Sequence, residues 1–132
     1  MSKRTELAAQ FIGQVSRKQF EAAVEMLAED VQMVVPQVGT VPGRHVVEAA
    51  LRVASESGRG FERVSWSKPL EQEDGTVLIP GKAPTGLLGL IAKLAKKQVK
   101  LNINLTFAEN DEISKVDVVV VGGLPAPPAP AA

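Results

Sequence analysis

The sequence predicts an α+β domain with helices first and an antiparallel sheet last, and three observations carry that expectation. Apolar residues recur at helical spacing within residues 5–27 and again within 44–57, residues 101–107 alternate strictly between apolar and polar, and a second alternating run follows the turn signal Asn110-Asp111. The last two define a β-hairpin and its register. With Asn110 and Asp111 as loop residues, Glu109 faces Glu112, and counting outward pairs Leu105 with Val116, Ile103 with Val118 and Leu101 with Val120. The same count sets Asn104 opposite Asp117 and Thr106 opposite Lys115 on the other face.

The elements follow in order. Leu7, Ala8, Phe11, Ile12 and Val15 give an amphipathic helix from about Thr5 to Val15. Ser16 and Gln19 fit a capping box that starts a second helix, whose buried stripe is Phe20, Ala23, Val24 and Leu27. Val31, Met33 and Val35 form a strand, and Pro36 to Gly43 is a loop. A third helix runs from Arg44 to about Ser57 on Val46, Val47, Ala50, Leu51 and Ala54, and Gly58-Arg59-Gly60 stops it. Phe61 to Ser67 reads as a strand, Asp74-Gly75 as a turn, and Val77 to Ile79 as a short strand ended by Pro80. Thr85 caps a further amphipathic helix, Gly86 to about Lys97, with Leu87, Leu90, Ile91 and Leu94 on one side and Lys93, Lys96 and Lys97 on another. After Gly122-Gly123 the Pro/Ala-rich residues 124–132 have too few side chains to bury, so residues 1–123 are expected as one domain and 124–132 as a disordered tail.

Composition narrows the function classes. A chain of 132 residues, 45% hydrophobic, buries about two thirds of its unfolded surface without metal or disulfides. There is no cysteine and one histidine, His45, so neither a thiolate nor a His-rich metal site is expected, and no cofactor is implied. Fifteen basic residues balance fifteen acidic ones, and one Trp, four Phe and no Tyr leave little for bases to stack on, which argues against nucleic acid as a partner. The N-terminal segment is interrupted by Gln10 and Gln14 and lacks an export-type core, and the apolar run 86–92 is far below the roughly 20 residues that span a bilayer. The expected location is the cytoplasm.

Phe20 to Val31 resembles the second helix entering the first strand of the nuclear transport factor 2-like superfamily, and Pro42-Gly43-Arg44-His45-Val46-Val47 is similar to its loop into the third helix. That superfamily includes ketosteroid isomerases, SnoaL-like polyketide cyclases and limonene epoxide hydrolases, and the resemblance covers about residues 5–121. It implies a cone: a curved antiparallel or mixed sheet wrapped around three N-terminal helices, here with an extra amphipathic helix inserted before the final hairpin. The open end of such a cone holds a small, mainly apolar molecule. Phe11, Val15, Met33, Val35 and Trp66 are then candidate lining residues. So are Leu90, Leu94, Asn102 and Val119, while Asn104 and Asp117 are the candidate polar, catalytic pair.

The resemblance leaves catalysis open. Where the isomerases carry a carboxylate base before the Pro of the first-strand loop, this chain has Val35 before Pro36, and Phe11 stands in place of the helical Tyr donor. Asp117 resembles the last Asp of the epoxide hydrolases, but Val77 to Ala83 contains neither the Arg nor the Asp that completes that set. Each candidate also has a plainer reading. Asn104 and Asp117 are a solvated ribbon face if the helices pack on the Leu/Ile/Val side; Trp66 is core or dimer contact; His45 is an exposed helix-start histidine. The 86–97 helix is a lid over the cone mouth, a packed surface helix, or an interfacial helix on a membrane surface. Two further functions therefore stand beside small-molecule binding: a homodimerisation or scaffold module associating through the sheet, and a lipid-handling protein.

Overall fold

Ser2 opens the first helix, α1 (Lys3–Ser16), with its hydroxyl accepting from the Thr5 N–H at 3.2 Å, one of the free donors of the first turn. The computed structural model describes residues 2–36, 39–56, 61–84 and 98–122. The helix expected at 86–97, with Leu90 and Leu94, and the tail 124–132 lie outside the described residues. Within them stand α2 (Phe20–Glu25), β1 (Leu27–Val35), β2 (Gly39–Pro42), α3 (Arg44–Glu56), a 3₁₀ turn (Phe61–Arg63), β3 (Ser65–Trp66), β4 (Leu70–Glu71), β5 (Val77–Pro84), β6 (Gln98–Phe107) and β7 (Ile113–Gly122).

One sheet of seven strands runs in the order β2-β1-β7-β6-β5-β3, with β4 also on β5. Only β1 and β7 pair in parallel; the other pairs are antiparallel. The sheet stays open, and the helices cover one face: α3 packs on β1 and β2, while α1 packs on β4 and β5. Ala8, Phe11, Val15, Phe20 and Val24 from the helices meet Met33, Ile79, Ile103, Leu105 and Val118 from the sheet in one buried cluster. The fold is the α+β cone the sequence implies.

The hairpin register is as counted, Leu101 to Val120, Ile103 to Val118, Asn104 to Asp117 and Leu105 to Val116. The loop is different. Ala108 accepts from Asp111 N–H and donates to Glu112 O, and Asp111 sits at φ +65, so three residues turn the chain rather than two. An irregularity between Lys115 and Ile113 then restores the count.

Five other boundaries differ from expectation, the first being β2, which pairs with β1 inside the segment 36–43 expected as a loop. α1 continues through Ser16, so no capping box forms there: Gln19 N–H bonds Gln14 O at 2.8 Å and Lys18 N–H bonds Val15 O at 3.0 Å, with Lys18 at φ +62. That is a Schellman close, which satisfies the last carbonyls of α1 where the box would have satisfied the first amides of α2. β1 begins at Leu27, with Leu27 facing Ile113 and a register shift before Gln32, so α2 is only six residues long. β3 is reduced to Ser65–Trp66 after a 3₁₀ turn. β5 runs straight through Pro80, because the Pro80 carbonyl accepts from Ser67 N–H on the β3 side. A residue's nitrogen and carbonyl share a side, so the missing donor falls at the gap between β3 and β4, where no ladder bond is lost. On α3 only Val47 and Leu51 are buried, and Val46 is 51% exposed.

Candidate functional site

The inner face is built in rows that the register sets side by side. Met33, Val116, Leu105 and Val77 make one, Val118, Ile103 and Ile79 the next, all buried. The third row is Val120, Leu101, Gly81 and Trp66, and there the cover thins: Val120 and Trp66 are only half-buried, as is Val35 on β1. Burial is therefore graded along the strands. Among the described residues the face is sealed toward the hairpin tip and less deeply buried at the opposite end, where β5 ends and β6 begins.

At that end the Trp66 ring meets Phe61 edge-on, centroids 5.6 Å apart, and its indole N–H donates to Phe61 O at 3.3 Å. Phe11 and Val15, each 1% exposed, and Met33 lie in the packed cluster. A group the sequence did not single out lies three residues beyond Phe11: Gln14 Oε1 is buried with no hydrogen-bond partner among the described residues. A glutamine at the flank of an apolar stripe carries no signal that its amide is turned away from water.

The outer face gathers the other candidates. One row across it is Val34, Asp117, Asn104 and Leu78, the next Val119, Asn102 and Pro80, the third Lys100 and Lys82. Asn104 and Asp117 are brought together as ladder partners, both half-buried, and Asn102 faces Val119. All four alternate with the buried Leu101, Ile103, Val116 and Val118, so their side chains leave the sheet on the side the described helices do not cover. Asn102 also borders a shallow outer-face pocket of about 210 Å³ with Ser67, Pro80, Lys82 and Lys100. His45 is exposed at the start of α3. Among the described residues no three of His, Asp and Glu come together as metal ligands, and no helix is long and apolar enough to cross a membrane.

This architecture recurs in solved structures. A steroid delta-isomerase from Pseudomonas aeruginosa is similar with a TM-score of 0.68, over 92% of this chain and 82% of its own, at 16% identity. A protein of Shewanella putrefaciens described as a SnoaL-like polyketide cyclase gives 0.66 over 91% and 80%, at 12% identity. The epoxide hydrolase/cyclase-like enzyme SalBIII of salinomycin pyran-ring formation gives 0.59 over 90% and 91%, at 17% identity. The chain has the nuclear transport factor 2-like fold. No protein-family model and no curated protein matches it in sequence. Identities this low carry the fold alone. Within the nuclear transport factor 2-like fold of this chain, Phe11, Leu101 and Ile103 are apolar positions of the buried inner cluster and Val35 packs against it.

Proposed function

We propose that the chain binds a small, mainly apolar molecule at the accessible end of the inner face. One observation carries this reading: the half-buried apolar groups Val35, Val120 and Trp66 continue a fully buried apolar surface to the end of the sheet. A binder of apolar ligands needs such a surface, because transfer of the ligand from water onto it is favourable by about 25 cal/mol per Å². Neighbours of the same fold named for a steroid, a polyketide and a polyether product support the ligand class. With apolar inner positions in place of an acid–base pair, binding is the activity assigned; Asn104 and Asp117 enter as outer-face groups.

The test uses the single tryptophan. Titration with the uncharged dye Nile red is expected to saturate at one dye per chain and to quench Trp66. Val35→Phe and Val120→Phe fill the accessible end and are expected to weaken binding about tenfold each, a loss of about 1.4 kcal/mol. Unaltered dye affinity in both variants, with the fold intact by circular dichroism, would remove this site.

A second reading is favoured by a separate observation. The outer face carries Val119 at 39% exposure and, at its edge, Leu70 at 51%, beside half-buried Val34 and Leu78. That surface suits a homodimer through the sheet.

A further inference from the structure

Lys82 and Lys100 stand directly opposite each other across β5 and β6. Like charges in facing positions of an antiparallel pair weaken the pairing, and neither lysine joins an ion pair among the described residues. Both border the outer-face pocket of about 210 Å³, together with Ser67 and Asn102. Among the described residues the polar side chains around it are thus two ammonium groups, a hydroxyl and an amide, with no carboxylate. All four can donate hydrogen bonds, which is the complement of an oxyanion.

The charge pattern of the chain points the same way. Between Lys82 and Lys100 the sequence holds five lysines and neither Asp nor Glu, which leaves ten basic residues against fifteen acidic ones elsewhere. A chain of zero net charge has therefore collected +5 in the stretch that begins and ends at this pocket. Lys82 and Lys100, which face each other with no counterion among the described residues, are stabilised by a bound anion.

We propose that this pocket binds the phosphate or carboxylate group of a small anionic molecule. The site is independent of the apolar one, being on the opposite face of the sheet.

Inorganic phosphate, titrated into the full chain at constant ionic strength against chloride, is the direct probe. The amide resonances of Ser67, Lys82, Lys100 and Asn102 are expected to shift saturably. The double variant Lys82→Gln, Lys100→Gln is expected to lose at least about tenfold in affinity. Both side chains are exposed, so the variant should fold, and relief of the repulsion should leave its melting temperature equal or higher. Flotation with phosphatidylcholine vesicles, with and without phosphatidylglycerol, separates the source of the anion. Saturable phosphate binding without flotation supports the site with a free small molecule as ligand. Saturable binding together with phosphatidylglycerol-dependent flotation, lost in the double variant, supports it with a lipid headgroup. Shifts that stay linear in phosphate, spread over lysines generally and persist in the double variant overturn the proposal whatever the vesicles do.

Discussion

Gly81 has no room for a side chain. A Cβ there would stand 2.7 Å from Trp66 Cε3 and 2.7 Å from Val64 Cγ1, so the Trp66 ring lies on the glycine backbone itself. Gly81→Ala is expected to destabilise the fold by about 1–3 kcal/mol, since β3 is too short to shift without losing its pairing; a denaturant midpoint equal to the parent's would show that the ring moves freely. Gln14 predicts the opposite sign. Its buried amide oxygen has no partner among the described residues, and Gln14→Met, similar in shape, should stabilise the chain by about 1 kcal/mol in denaturant unfolding. If that oxygen serves to accept from a ligand hydroxyl, the same variant binds a hydroxylated apolar probe less well while its affinity for Nile red is unchanged. Neither residue was legible as special from the sequence. A glycine after Pro80 reads as the end of a strand, and a lone glutamine on an amphipathic helix reads as solvent.

The elements show why boundaries were harder to read than pairings. The hairpin register came through because apolar meets apolar at each inner step, and a slip of one residue would turn that whole set outward. Its loop was misread because Asp111 adopts a left-handed conformation that Asp tolerates without announcing it. The same holds at Lys18, at φ +62, where the Schellman close of α1 uses a residue with a Cβ. Lys18→Gly is therefore expected to raise stability by about 0.5–1 kcal/mol, and an unchanged melting temperature would mean that unfolded-state entropy cancels the relieved strain. Asp111 also ties the hairpin loop to α1. Lys3 Nζ lies 3.1 Å from its carboxylate and Arg4 Nε 3.3 Å, while Arg4 also reaches Gly75 O and Ala108 O and stacks over Phe107. Hydrogen bonds first from Lys3 and then from Arg4 hold the Asp111 carboxyl below its ordinary value of 3.8. A depressed folded pKa contributes stability that is present above 3.8 and lost as pH falls through the folded value. Asp111→Asn keeps a residue that accepts positive φ, so it should be less stable than the parent near neutral pH and converge with it below that value; a gap that persists in strong acid would rule out the charge as its cause.

For the molecule as a whole, the arrangement of the three described helices over one face was legible because period and order both survive in the sequence, whereas the face on which Asn104 and Asp117 lie depends on which side of the hairpin the helices choose. The Leu101, Ile103, Leu105 row decides it, and the polar pair falls outside. That arrangement argues for association. The described helices cover only the inner face, and the outer face presents Val34, Leu78, Pro80 and Val119 around a half-buried Asn104–Asp117 centre. A homodimer through this face of ordinary size would bury about 800 Å² per chain, against a total surface of 7765 Å². Sedimentation at micromolar concentration is expected to give twice the chain mass. Leu78→Lys with Val119→Lys should yield a folded monomer, because neither side chain enters the core. Asp117→Asn should tighten the dimer by about 1 kcal/mol, since a carboxylate moved from water into an interface loses more hydration than an amide does. A parent that sediments as a monomer, or an Asp117→Asn dimer that dissociates more readily, would show that the two sheets do not meet.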